Sequence, residues 1–178
     1  MEYTINWYRN YPRFSTFPLF HFRHLGFSNF KFKIMLPRGI RNHNPLNIRR
    51  TAKDVWKGLA DMQTDRAFCQ FKSLEFGWRA AFYLLTRTYY HKYRLYTIRG
   101  IISKWAPPIE NKTEAYIANV SALTGILPDE PLGIPSDQPS RWMMLGAAMA
   151  IQENGTESLD YFAMMRGWEL ARSDVGKT

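Results

Sequence analysis

Cysteine is nearly absent from this chain of 178 residues, and the one cysteine, Cys69, has no partner for an intrachain disulfide. It lies in the largely apolar run 67–71, which predicts a buried and unreactive thiol. The four histidines are not spaced with Cys69 as metal ligands. We therefore expect no metal site and no cofactor.

Long apolar runs are also missing. No uninterrupted run approaches the ~20 residues that a membrane-spanning helix needs, which predicts a chain without a transmembrane segment. The aromatic-rich stretch 14–27 is interrupted by His21, Arg23 and His24, and no small-residue cleavage site follows it. We therefore expect no clear secretory signal peptide.

Acidic residues are few, with 15 Asp and Glu against 24 Lys and Arg, so the formal net charge is +9. Residues 38–104 carry 14 basic and four acidic side chains, whereas 105–178 carry five basic and ten acidic ones. The basic half predicts a polyanionic partner such as nucleic acid, an acidic membrane surface or a carboxylate-rich cell wall. The alternative is a folded surface on which both signs mix. Because no nucleic-acid-binding motif accompanies the charge, we do not expect nucleic acid as the partner.

The first 34 residues differ in composition from the rest. They hold 11 of the 28 aromatic residues, with five basic residues and one acid, and show no sustained helical period. Either the start is over-extended and Met35 is the true first residue, or the segment is a basic-aromatic arm that contacts a membrane or a capsid partner. We predict a disordered or over-extended tail at 1–34 and one domain at 35–178.

Apolar residues recur at helical spacing after residue 74. They predict a helix over about 75–94 and a short helix from Ile98 to Trp105. Thr97 is the expected N-cap of the short helix, and Pro107-Pro108 should end it.

Three further helices are expected towards the end of the chain. Asn111 and Glu114 suggest a capping box for the first, which should stop at Gly125. The second should begin at Ser140 and end at Asn154-Gly155, and the third should cover about 157–171.

Only the segment 47–72 is ambiguous, because short strands at 47–50 and 68–72 are compatible with its pattern. The sequence therefore predicts a mainly α domain with at most a small β element.

Two segments concentrate the residues that could carry chemistry. Residues 38–49 read RGIRNHNPLNIR, and their asparagines favour turns through local backbone hydrogen bonds. Such amides can also bind sugar hydroxyls and N-acetyl groups. Residues 105–117 read WAPPIENKTEAYI, in which two prolines stiffen a loop that brings Glu110 to a helix start.

Together with the sequence GWRA at 77–80, these segments resemble the motifs of a phage and prophage structural protein family. That family includes the lysozyme-like, murein-degrading virion protein of enveloped double-stranded-RNA phages. The resemblance covers residues 38 to about 125; His43 replaces an asparagine of the family pattern and Leu46 a frequent glycine.

The resemblance implies a lysozyme-like, lytic-transglycosylase-like helical fold, with peptidoglycan and other virion proteins as partners. It also implies synthesis in the bacterial cytoplasm, a place in the virion, and action in the periplasm or cell wall.

Cleavage of a glycosidic bond needs a carboxylic acid to protonate the leaving oxygen, and most hydrolases add a second carboxylate. Glu110, in a rigid apolar setting after Pro107-Pro108, is the first catalytic candidate, and Glu75 is the second. The alternative role of Glu110 is to stabilise the start of the next helix, and Glu75 could be an exposed first-turn residue. Glu114 is assigned to the helix cap, and Glu153 is the last candidate.

Seven further side chains are candidates for binding the substrate, since amides, a guanidinium and aromatic rings suit sugar recognition: Asn42, Asn44, Asn47, Arg49, Trp56, Asn111 and Tyr116. Trp56 lies on a predicted loop, which favours contact with a ligand. Trp78 and Trp105, at helical spacing, are predicted to be core residues.

Two functions remain open on this basis. The first is a peptidoglycan-degrading muramidase or lytic transglycosylase of phage or prophage origin. The alternative is a non-catalytic virion structural or murein-binding protein, which is suggested by the absence of a visible Glu-Ser pair of the kind found in goose-type lysozymes and lytic transglycosylases.

Overall fold

The computed structural model describes residues 36–53, 55–108, 112–156 and 158–174, and within them the chain is mainly helical, as predicted. The elements follow in the order α1 (Arg38–Arg41), α2 (Leu74–Tyr83), a π-helix (Leu84–Lys92), α3 (Ile98–Trp105), α4 (Thr113–Thr124), α5 (Pro139–Asn154) and α6 (Tyr161–Ser173). The predicted tail, 1–34, lies outside the described residues.

Helix α2 packs against α5 and α6 and is buried over most of its length. Trp78 and Phe82 stack with ring centroids 5.5 Å apart, and Trp168 of α6 meets Phe82 edge-on at 5.1 Å. Gly167 permits this approach, because a β-carbon at that position would lie 2.3 Å from Cβ of Trp78. Large apolar rings removed from water are the main stabilising contribution of this interface.

The helix predicted for 75–94 forms, but its hydrogen-bonding pattern changes at Leu84. The following nine residues are π-helical, and π-helical stretches are rare and concentrate at functional sites. Tyr89 of this segment meets the ring of Trp105 at 5.9 Å, while Tyr90 meets that of Trp142 at 5.4 Å.

The predicted ends of several helices are confirmed. The Thr97 hydroxyl accepts a hydrogen bond from the N–H of Gly100 at 3.1 Å, which caps α3. Helix α5 ends at Asn154, and Gly155 follows in the left-handed conformation with φ of 61°.

Other predicted boundaries were wrong. Helix α5 starts at Pro139 and not with a Ser140 cap, because proline is favourable in the first turn, where its missing N–H has no helical partner. Helix α6 starts at Tyr161, later than predicted, because the Asp160 carboxylate accepts from the N–H of Ala163 at 2.9 Å. The predicted capping box of Asn111 and Glu114 was also wrong, because α4 starts at Thr113 with Lys112 as its N-cap residue and the Glu114 carboxylate binds Arg99 at 2.9 Å.

Residues 42–73, which we call the irregular lobe, contain isolated bridges in place of the short strands considered above. Arg49 pairs with Phe68 and Leu59 with Phe71, and no longer strand forms in the described part of the lobe. Beneath these bridges a small apolar cluster contains Cys69, which is fully buried as predicted.

Asp65 organises one side of the irregular lobe. Its carboxylate accepts from Nε of Arg38 at 2.7 Å, from Nδ2 of Asn42 at 2.8 Å, and from the backbone N–H groups of Ala67 and Phe68 at 2.9 and 3.1 Å. These hydrogen bonds hold the lobe together where a regular sheet would have backbone hydrogen bonds between its strands.

Within the described ranges, no helix combines the length and the apolar character needed to cross a bilayer. Nor does that part of the chain gather three or more His, Cys, Asp or Glu side chains in a position to hold a metal ion.

Gly167→Ala is expected to lower the free energy of unfolding by about 1–3 kcal/mol, the range for overpacked cores. The new β-carbon would press on Cβ of Trp78 and on the α2 backbone. Gly100→Ala is the matched control, because its nearest contact would be 3.3 Å away. Alanine there gains up to about 1 kcal/mol of helix propensity. Chemical unfolding followed by circular dichroism measures the free energy of unfolding of both variants. Equal values for Gly167→Ala and Gly100→Ala would contradict the close packing of α2 on α6.

Asp65→Asn is expected to lower the melting temperature at pH 7 but not at strongly acidic pH. The hydrogen bond from Arg38 is the main reason that the pKa of Asp65 is held well below its usual range. The stabilisation is therefore fully present above the unfolded pKa of about 4 and is lost as the pH falls below that value. Asp61→Asn, at a side chain that is 88% exposed, is the control and should change little at any pH. If Asp65→Asn lowered the melting temperature equally at every pH, this result would contradict the ionic interpretation.

Candidate active site

A cleft of about 550 Å³ lies between the irregular lobe and the residues that end α3. The lobe contributes residues 47–49, 51, 56 and 68, and the opposite side is formed by 104–107. Leu84 and Tyr89 of the π-helix and Glu153 of α5 complete the lining. The volume lies within the range of roughly 300–1,000 Å³ that is typical of ligand sites.

The carboxylate of Glu153 is the centre of this cleft's hydrogen bonding. Trp105 donates its indole N–H to Oε1 at 3.1 Å, and Tyr116 donates its hydroxyl to the same oxygen at 3.1 Å. Asn47 donates from Nδ2 to Oε2 at 3.3 Å and to the Glu153 carbonyl at 3.4 Å. Donors from three separate segments therefore fix the carboxylate, and Oε2 keeps the single, longer bond.

Asn47 reaches the carboxylate because of an unusual backbone conformation. Its φ is 49°, in the left-handed region that asparagine tolerates better than most residues. The preceding turn is held by Asn44, whose carbonyl accepts from the N–H of Asn47 at 2.9 Å. The Asn44 side-chain oxygen accepts from the N–H of Ile48 at 2.9 Å. The asparagine-rich segment is thus a turn that presents Asn47.

Tyr116 approaches Glu153 from α4 and is only 7% exposed. Burial is the main cause that raises the pKa of its hydroxyl, and the negative charge and hydrogen bond of Glu153 add to it. Tyr116 therefore remains a neutral hydrogen-bond donor to Glu153 at the pH values at which proteins work.

Aromatic and basic side chains line the rest of the cleft. The rings of Trp56, Phe68 and Tyr89 offer apolar surface, while Arg49 and Lys104 are exposed cations. Glu153 is the only carboxylate among the described residues of the lining. Such a surface presents apolar ring faces and positive charge to a bound ligand.

Several of the predicted site residues meet at this cleft. Asn47, Arg49 and Trp56 line it, and Tyr116 reaches its carboxylate. Trp105 was predicted as a core residue, and it does pack against the core. It also lines the cleft, because it ends α3 at the junction with the lobe.

Two of the predicted substrate ligands lie inside the fold. Asn44 is fully buried, and its Nδ2 donates to the carbonyls of Ile48 and Cys69 at 3.0 and 2.9 Å. Asn42 is 5% exposed and donates to Asp65 at 2.8 Å. Neither lines the cleft, so both amides shape the lobe that presents Asn47.

Neither of the two predicted catalytic residues, Glu75 and Glu110, is among the described residues that line the cleft. Glu75 does not line the cleft; it lies in the first turn of α2, where a hydrogen bond from Ser73 is the main cause that lowers its pKa. A lowered pKa counts against proton donation near neutrality. Glu110, like Asn111, lies outside the described residues, and its role stays a prediction.

From the sequence, Glu153 was the last of the four candidate glutamates, and it directly precedes the predicted helix end at Asn154-Gly155. One signal could have raised its rank. A carboxylate in the last turn of a helix faces the negative end of the helix dipole, where a cation is the favoured residue. A glutamate at that position therefore implies donors from elsewhere in the fold.

Comparison with known proteins places the chain among phage proteins. No family model matches it. Protein P5 of Pseudoalteromonas phage PM2 is 38% identical to it over 134 residues, which cover 74% of this chain and 80% of that protein. The chain therefore belongs to the phage protein family of which Protein P5 of Pseudoalteromonas phage PM2 is a member.

Proposed function

We propose that this chain is a phage peptidoglycan glycosidase with a lysozyme-like fold, a muramidase or a lytic transglycosylase, in which Glu153 is the acid. The observation that carries the proposal is the fixed carboxylate of Glu153 in an open cleft with aromatic and cationic walls.

Peptidoglycan suits the shape and charge of this cleft. Its glycan strands are linear and carry carboxylates on their peptide stems, which complement Arg49 and Lys104. Sugar rings have apolar faces that can lie on Trp56 and Tyr89, and the Asn47 amide is of the type that binds hydroxyl or N-acetyl groups. A bacteriophage must pass this layer to enter and to leave its host.

In this proposal the two carboxyl oxygens of Glu153 have different tasks. Oε1 already accepts from Trp105 and Tyr116, so the proton of the neutral acid belongs on Oε2. In the proposed step, Oε2 gives that proton to the glycosidic oxygen while the bond from this oxygen to the anomeric carbon breaks. A water molecule or a hydroxyl of the same sugar then attacks the anomeric carbon and returns its proton to Glu153.

The number of carboxylates separates two versions of the mechanism. With Glu153 alone, attack by a hydroxyl of the substrate gives an anhydro sugar, as in a lytic transglycosylase. If Glu110 takes part as a second carboxylate, it would activate a water molecule and the product would be a hydrolysed sugar. The mass of the released muropeptides distinguishes the two products, which differ by one water.

A second candidate function is murein binding without cleavage by a virion component. The single carboxylate among the described lining residues favours it, because most glycosidases use two. Retention of the chain on insoluble peptidoglycan without release of soluble muropeptides would identify this function.

Glu153→Gln is expected to reduce muropeptide release by roughly 10²–10⁴-fold, the usual contribution of a general acid. Glutamine keeps the size and the acceptor oxygen for Trp105 and Tyr116, so the melting temperature should change little. Glu75→Gln and Glu110→Gln, made in parallel, compare the other two acids. Full activity of Glu153→Gln would overturn the proposed acid, and loss of activity only in Glu110→Gln would move the role there.

Tyr116→Phe removes one hydroxyl and should lower kcat by roughly 10–100-fold, the value of a hydrogen bond to a charged group. Because Tyr116 is argued to position Glu153, retention on insoluble peptidoglycan should stay unchanged. In the Glu153→Gln background the same substitution should cost nothing more. Equal losses in both backgrounds would show that Tyr116 acts independently of Glu153.

A further inference from the structure

A second cavity, of about 410 Å³, lies between the π-helix, the loop 134–136 and α6. It shares no lining residue with the Glu153 cleft. Its apolar side includes Trp168 and Ala171, and three basic groups face it from two elements: Arg87, His91 and Arg172.

The charges in this second cavity are not balanced within the described part of the chain. No acidic side chain lines it, and neither Arg87 nor Arg172 forms an ion pair with a described Asp or Glu. Other arginines of this protein do have such partners, for example Arg38 with Asp65 and Arg99 with Glu114. Two guanidinium groups at one cavity favour a carboxylate or a phosphate, which their planar donors can bind through two bonds.

The polar groups of the second cavity other than the cations are already engaged. The Thr86 hydroxyl donates to the carbonyl of Phe82 at 2.7 Å, and the Ser136 hydroxyl donates to Oδ1 of Asp137 at 2.7 Å. Ile134 supplies exposed apolar surface, with 50% of the residue accessible, whereas Trp168 and Ala171 keep only 5% and 7% of their surface exposed. Beyond its basic groups, the cavity thus offers mainly apolar surface to a ligand.

The π-helix lines both this cavity and the Glu153 cleft. It supplies Thr86, Arg87 and His91 to the second cavity, and Leu84 and Tyr89 to the Glu153 cleft. A nine-residue π-helix is long for an element that occurs mostly as single turns at functional sites.

We propose that the second cavity binds a small amphiphilic anion, a carboxylate or a phosphate ester carried on an apolar body. The anion contacts Arg87 and Arg172, and the apolar body lies mainly on the exposed side chain of Ile134, beside Trp168 and Ala171. The volume is near the lower end of ligand pockets, which suits a small molecule. This site does not depend on the chemistry of Glu153.

The test is isothermal titration calorimetry of the full chain with four probes: octyl phosphate, octanoate, inorganic phosphate and octyl glucoside. The two anionic amphiphiles should bind, and the tighter of them identifies the anionic group. Inorganic phosphate lacks the apolar body, and octyl glucoside lacks the charge. Each should therefore bind at least roughly tenfold more weakly than the tighter anionic amphiphile.

Matched variants locate the binding. Arg87→Gln/Arg172→Gln should weaken the tighter amphiphile by roughly tenfold or more. Arg94→Gln/Arg166→Gln removes the same charge from exposed positions outside the cavity and should leave binding within about twofold. Ser136→Glu adds a negative charge on the loop and should also weaken binding, without altering a helix.

Three results would overturn the proposal. One is the absence of binding by both anionic amphiphiles at millimolar concentration. Another is equally tight binding of octyl glucoside, which would show an apolar surface without selection for charge. The third is unchanged binding by both Arg87→Gln/Arg172→Gln and Ser136→Glu. Glu153→Gln should bind the amphiphile as the wild-type chain does, so that failure of this site is distinguishable from failure of the proposed glycosidase.

Discussion

The carboxylate of Glu153 lies in the last turn of α5, where backbone carbonyls without helical partners give the helix end a partial negative charge. An isolated carboxylate is unfavourable there, by roughly 0.3–1 kcal/mol in ordinary surface settings. Donors from Asn47, Trp105 and Tyr116 offset this cost. To bring them together, the irregular lobe, the end of α3 and the start of α4 must all meet the end of α5. The cleft is the space that remains where these elements converge.

The residue after Glu153 ties the same helix end to the irregular lobe. Asn154 donates from Nδ2 to the carbonyls of Pro45 and Ala150, both at 2.8 Å. Gly39 lies against this side chain so closely that a β-carbon would be 2.3 Å from its oxygen. The motif 38–49 therefore serves two purposes. Most of its residues build and anchor a turn, and Asn47 alone among its asparagines lines the cleft.

Local sequence signals predicted the helices well, because capping and periodicity act over a few residues. The Thr97 cap and the Gly155 stop are examples, since each satisfies backbone groups within one turn. The change to π-helical hydrogen bonding at Leu84 was not predictable in this way. It accompanies contacts of Tyr89 with Trp105 and of Tyr90 with Trp142, which are distant in sequence from one another. The prediction that Trp105 is a core residue was likewise only partly correct. Periodicity identifies the packed face of a helix but not a cleft at the edge of that face.

By itself, the sequence determined the mainly helical class, the turn-forming character of the asparagine-rich segment and the burial of Cys69 and Trp78. These properties depend on backbone preferences and apolar burial, which are encoded within short stretches. Only the tertiary structure decided which carboxylate occupies the cleft. Glu153 and Asn47 are 106 residues apart, and nothing local to either of them indicates the other. A site made of hydrogen bonds between separate elements exists only after the apolar core has fixed the positions of those elements, because single bonds of this kind are too weak to assemble it alone.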